Sequence, residues 1–173
     1  MKRLLTSALV ATLLIITGGV FAQGNLKFAH INGQELVMVM PERDSAELKL
    51  QAYGKDLSEQ IEELHVEYNN KVQTYMQRRE TLTAAIRDAR EKELSELQQR
   101  IQEFESTAQQ DYQRMQGELM RPLMDKADKA IKTVAEREGF VYVFDVSVGG
   151  VVYFSKASTD ILPLVKKELG IVK

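Results

Sequence analysis

Two histidines, no cysteine and a large stock of carboxylates are what this sequence of 173 residues offers to chemistry. His30 lies in Leu26-Lys27-Phe28-Ala29-His30-Ile31, and His65 follows Leu64 in a charged stretch. No spacing ties either one to a serine or to metal ligands, so each reads as a structural or solvated histidine. Glu62, Glu63 and Glu67, and later Glu91, Glu93 and Glu96, group carboxylates as an acid–base or metal site would. On a helix with bases interspersed, such clusters are solvated faces. Glu96 and Arg100, Asp125 and Lys129, and Asp128 and Lys132 place an acid four residues before a base. Each such pair adds only about 0.2–0.5 kcal/mol to a helix. Asp145 is less ordinary, because it interrupts the apolar run Phe140-Val141-Tyr142-Val143-Phe144-Asp145-Val146. A structural role at a strand end, or paired within the folded body, suits it best. No residue is assigned to catalysis, to a cofactor or to a metal, and the chain reads as a non-enzyme. The absence of cysteine excludes disulfides and thiolate metal sites.

Binding is the remaining chemistry. Tyr53, Tyr68, Tyr75, Met76, Tyr112, Met115, Met120 and Met124 are spread along a charged background, and methionine surfaces repack around varied partners. Most of these residues fall on apolar stripes at helical spacing and read as packing. Met76, Met120 and Met124 lie off the stripes and are the candidates for contact with a partner. Pro122 removes one helical hydrogen bond and crowds the carbonyl of Glu118. With Gly117 five residues earlier, it marks a candidate hinge, or a static bend.

The elements that carry these residues begin with the stretch from Arg43 to Glu138, which holds only Gly54, Gly117 and Pro122 as helix breakers. Leu50, Tyr53, Leu57, Ile61, Leu64, Tyr68, Val72 and Tyr75 recur in steps of three and four that repeat every eleven residues. An eleven-residue repeat winds nearly straight or slightly right-handed. Leu94, Leu97, Ile101, Phe104, Ala108, Tyr112, Met115, Leu119 and Leu123 form a second stripe. Each stripe is narrow and needs a partner helix. The spacing predicts helices from about Pro41 to Glu80, roughly 60 Å long, and from about Asp88 to Glu138. The reversal is expected between Glu80 and Arg90, around Thr81-Leu82-Thr83-Ala84-Ala85. A single unbroken helix is the alternative. The hairpin is favoured because both ends join strand-like segments that must meet.

Those segments are Leu26 to Ile31, Phe140 to Val146, and Val151-Val152-Tyr153-Phe154 returning after a Gly149-Gly150 turn. In the first, Leu26, Phe28 and His30 point one way and Lys27, Ala29 and Ile31 the other. Asn32-Gly33 marks a turn or helix start, and Pro41 suits a first helical turn. Gly139 is a helix stop. Ser158-Thr159-Asp160 offers caps to a last helix with Pro163 in its first turn, Lys166 and Lys167 near its end and Gly170 beyond. Three short strands make a marginal sheet with open edges. The strands of several protomers are therefore expected to join into one body, with Phe28, His30, Phe140, Tyr142, Phe144, Val152 and Phe154 in it.

Lys2 and Arg3, the apolar run Leu4 to Thr17 and Val20-Phe21-Ala22 read as a secretory signal peptide cleaved after Ala22. The run is short for a membrane anchor, which needs about 20 apolar residues. No cysteine follows it to carry a lipid. Without Lys2 and Arg3, 21 basic residues face 25 acidic ones, a net charge of −4. That balance speaks against nucleic acid. The expected organisation is thus residues 1–22 as signal peptide, 23–42 and 139–173 as a β-rich oligomerisation body, and 43–138 as a helical hairpin arm.

The export signal, the strand ending His30-Ile31-Asn32, the long polar hairpin, Gly139-Phe140-Val141-Tyr142-Val143-Phe144-Asp145 and the closing Ser158-Thr159-Asp160-Ile161-Leu162-Pro163-Leu164-Val165-Lys166-Lys167 together resemble the Skp/OmpH family of periplasmic chaperones. The resemblance covers the whole mature chain and rests on the end segments. It implies an α+β fold: a homotrimer with a small shared β-barrel body and three antiparallel coiled-coil arms inserted between the strands. It implies an ATP-independent holdase that shelters unfolded outer-membrane proteins in the periplasm, with no cofactor. The family's best-known member has cationic arms, whereas residues 43–138 here carry 16 basic and 20 acidic residues. That departure weighs against contact with anionic membrane or lipopolysaccharide and puts more of the binding on apolar and polar contacts along the arms. The runner-up reading is a structural coiled-coil adaptor of an envelope export complex, for which the flanking β segments are short.

Overall fold

A computed structural model describes residues 26–171. The expected signal peptide, 1–22, lies outside the described residues. Strand β1 (Lys27–Ile31) buries Ala29 and Ile31 on one face and leaves Phe28 and His30 on the other. Asn32 ends it and caps α1 (Gly33–Met38), its Oδ1 accepting from the Glu35 N–H at 2.9 Å. That bond meets one of the orphan donors of a helix start. Pro41 opens α2 (Pro41–Arg78), where its missing N–H costs nothing.

The reversal comes at a 3-10 turn, Arg79–Thr81, followed by Leu82 and an extended Thr83. This is the early edge of the expected window, and α3 (Ala84–Glu138) starts four residues sooner than the spacing suggests. The Thr81 hydroxyl donates to the Arg78 carbonyl at 2.8 Å, and the Arg87 N–H to the Thr83 carbonyl at 2.9 Å. The Thr81 side chain thus helps close one helix, and the extended backbone of Thr83 starts the next without a side-chain cap and without glycine or proline. α3 ends at Gly139, whose φ of +74° is left-handed and whose N–H meets the carbonyls of Ala135 and Glu136. Only glycine takes that conformation without strain.

α2 and α3 run antiparallel, side by side. Glu42 pairs with Lys126 at the root, His65 Nε2 meets Glu105 Oε1 at 3.1 Å midway, and Lys71 meets Glu93 near the turn. Every residue of the two stripes is buried or half-buried. Gly54 lies against Tyr112, where a Cβ would sit 2.9 Å from the ring. α3 is continuous through Pro122. None of the three acid–base pairs expected four residues apart forms an ion pair. Glu96 takes Lys92 at 3.6 Å rather than Arg100, while Lys126, in none of the three, crosses to Glu42. Flexible exposed side chains choose among several partners of similar energy, so sequence spacing does not settle the choice.

Strand β2 (Phe140–Asp145) pairs parallel with one edge of β1, and β3 (Thr159–Asp160) pairs parallel with the other, giving the order β2-β1-β3. The long arm is thus the crossover between two parallel strands. The helix α4 (Leu162–Glu168) follows, with Pro163 in its first turn, Lys166 and Lys167 in its last and Gly170 beyond at φ +69°. Ala29, Ile31, Leu36, Met40, Leu123, Ala127, Val134, Ile161 and Val165 are among the residues of the core. It lies between one face of the sheet and the roots of the arm helices.

One expected strand does not form. The sequence predicts Val151–Phe154 as the return of a β-hairpin with β2, but the segment has no strand pairing. Because β2 and β3 flank β1 on opposite edges and run the same way, the chain between them must travel back across a face of the sheet. The helices occupy one face, so the 150s cross the other. Gly149 takes a left-handed φ of +73° in the turn after β2. The expected cap triad is also redistributed. Asp160 Oδ1 accepts from the Leu162 N–H at 2.9 Å, Thr159 and Asp160 form β3, and Ser158 turns to His30.

Candidate functional site

The sheet face turned away from the core is aromatic. Phe28 of β1 is the register partner of Tyr142 in β2, and His30 that of Phe144. Paired residues share a face, so the four rings form a block. Phe28 and Tyr142 stack with centroids 6.2 Å apart, and Tyr142 and Phe144 at 6.0 Å. The returning segment adds Phe154, stacked on His30 at 4.0 Å. Between the strands and that segment is a half-open cavity of about 610 Å³, with Leu26, Phe28, Phe144, Val151 and Tyr153 in its walls. Tyr142 is 59% exposed, Phe144 45%, and Val152 99%. An exposed apolar patch of this kind on a protein marks a surface that meets something.

Of the residues expected in the body, Phe28, His30, Tyr142, Phe144, Val152 and Phe154 are on this face, and Phe140 packs against the core instead. Leu26, set on the side of Phe28 and His30 by its period though not counted among the body residues, is there as expected. Tyr153 and Ser158 are additions that the sequence does not assign to this face. Tyr153 and Ser158 reach the face only through the crossing of the 150s. His30 Nδ1 and Ser158 Oγ are 2.9 Å apart, which holds the ring in place.

The Asp145 carboxylate accepts from the Gly33 N–H at 3.1 Å, the Ser147 N–H at 2.8 Å and the Ser147 hydroxyl at 2.7 Å. Burial pushes its pKa up, but the hydrogen bonds from Ser147 and Gly33 outweigh that and hold it below the usual value. A Cβ on Gly33 would sit 2.5 Å from Asp145 Oδ2, so the close approach needs glycine. Asp145 joins β2 to the start of α1.

Along the arm, Met76 is 65% exposed and Met124 52%, while Met120 packs against the core. Ile86 and Val66 are also exposed there. Gly117 and Pro122 lie within the continuous α3. His65 serves the arm by bridging to Glu105. The Glu93 hydrogen bond raises the Lys71 pKa, and Lys71, with Arg90, lowers that of Glu93. Of the clustered carboxylates, Glu93 is an ion-pair partner between the helices, whereas Glu67 and Glu96 pair within their own helix. Among the described residues no three His, Asp or Glu gather as a metal site, and no helix is long and apolar enough to cross a membrane.

The family described as "Outer membrane protein (OmpH-like)" matches residues 27–169. A protein named "Chaperone protein Skp" from Photorhabdus luminescens is 25% identical over 169 residues, covering 98% of this chain and 99% of that protein. Another of the same name, from Pectobacterium atrosepticum, is 25% identical over 154 residues, covering 88% of this chain and 93% of that one.

Proposed function

Since the chain belongs to the OmpH-like outer membrane protein family, we propose that it is an ATP-independent holdase of the periplasm. It binds unfolded outer-membrane proteins and keeps them from aggregating on their way to the outer membrane. Residues 23–42 and 139–173 act as the oligomerisation body and 43–138 as the arm, with residues 1–22 removed on export. Three copies close their sheets into one barrel-like body, and the arms surround the client. The observation that carries this reading is the aromatic sheet face at the root of the long arm. One chain leaves that face open, and it also leaves open the outer edge of β2 and the strand-like Val151–Phe154 segment. An open edge and an unpaired strand-forming segment on the same chain complement one another between copies. The naming of the relatives as chaperones supports the client-binding half. Isolated apolar side chains such as Met76 and Met124, on an otherwise charged arm, suit many weak contacts. Binding an unfolded client withdraws it from aggregation by mass action.

The test is dilution of a urea-unfolded outer-membrane β-barrel protein into buffer with and without the mature protein. Light scattering should stay low with the protein present and no nucleotide added. Precipitation at the same rate in both would overturn the proposal.

A further inference from the structure

The aromatic face holds one histidine, the side-chain type that ordinarily changes charge nearest to neutral pH. His30 sits among Phe28, Phe144 and Phe154, with Phe154 stacked on its ring and Ser158 Oγ at 2.9 Å from Nδ1. We propose that His30 makes assembly of the copies acid-sensitive: the face closes between copies while the ring is neutral and opens when it is protonated. This rests on the reading above that further copies of the chain cover the face.

The physical argument is desolvation. In the single chain the half-open cavity lets water reach an imidazolium. Closing the face removes that water, and burial disfavours the charged form. In a symmetric assembly every copy covers its own His30, so protonation charges each contact at once. The surroundings offer little compensation. From β2 the ring meets Phe144, and the carboxylate of Asp145 is spent on Gly33 and Ser147. From β3 its register partner is Asp160, whose carboxylate is turned to the Leu162 N–H. Lys27 is engaged with the Glu138 carbonyl. The crossing segment contributes Tyr153, Ser155 and Ser158 to the cavity, none of them an acid.

Each proton that assembly excludes weakens it by about tenfold per pH unit below the ordinary imidazole range. The experiment is sedimentation velocity on a dilution series of the mature protein at pH 7.5 and 5.5. Carboxylates ordinarily titrate near ~4, below this window. The concentration at which the wild type dissociates should rise at least tenfold at pH 5.5, with helical circular dichroism unchanged. His30→Gln should assemble alike at both values, and His65→Gln should behave as the wild type does. His30→Phe serves as a second variant if His30→Gln does not fold. A wild type insensitive to this pH change, or a shift that survives in the His30 variants, would overturn the proposal. A wild type that stays a single chain at pH 7.5 would overturn the assembly reading itself, and this inference with it.

Discussion

Asp145 ends β2 with a carboxylate that accepts from the backbone of Gly33, from the backbone of Ser147 and from the Ser147 hydroxyl. The apolar run around it made Asp145 conspicuous in the sequence, but Gly33 is 112 positions away and no local pattern points to it. Its pKa is lowered on folding from the ordinary value of 3.8. The unfolded chain therefore binds the proton more readily. The charged form's contribution to stability is full above that value and is lost as pH falls below it, through the lower folded value. Asp145→Asn keeps an acceptor oxygen but removes the charge. Urea denaturation should show it less stable than the wild type at pH 7, by about 1–2 kcal/mol for weakened charge-assisted bonds. The gap should narrow as both are taken to pH 3. A constant gap would assign the loss to packing instead.

At the scale of elements, the arm is the part most open to reading from residues. Its stripes recur at the period of a helix, and every member found cover in the structure. Leu97 is 1% exposed, whereas Met76, near the turn, is 65% exposed. Leu97→Ala should cost about 2–5 kcal/mol through lost burial and the cavity left behind. Met76→Ala should leave stability within about 0.5 kcal/mol. Thermal melts followed by helical circular dichroism compare the two directly. Equal melting would mean that the seam at Leu97 contributes nothing to holding the arm. The turn has no glycine or proline to mark it, and only the Thr81 hydroxyl contributes a side-chain bond there.

For the whole molecule, the question is what closes the sheet. The core lies on one side, against the roots of the arm helices, and the other side is aromatic. Three copies of the mature chain should be the mass found by light scattering. Phe144→Asp places a charge on the aromatic face, at a residue already 45% exposed in the single chain. A single chain should accept that charge in water, whereas a closed body has to desolvate it. The variant should therefore run as a single chain, keep its helical signal and lose its hold on unfolded clients. A Phe144→Asp protein that still runs at three times the chain mass would place the contact between copies elsewhere.

The residues alone determined the two arm helices, the closing helix and strands β1 and β2, the stripes along which the arm helices pack, and the stops at Asn32 and Gly139. These are properties of contiguous stretches: alternation, helical spacing, and the few residues able to take a cap or a left-handed turn. Tertiary structure alone decided that β2 and β3 flank β1 in parallel, that the 150s cross the aromatic face instead of pairing with β2, and that Ser158 serves His30. Each of those outcomes depends on where a chain returns after a long excursion. Val-Val-Tyr-Phe has the side chains of a strand wherever it lies, and only the route from β2 to β3 tells it that no neighbour is waiting within its own chain.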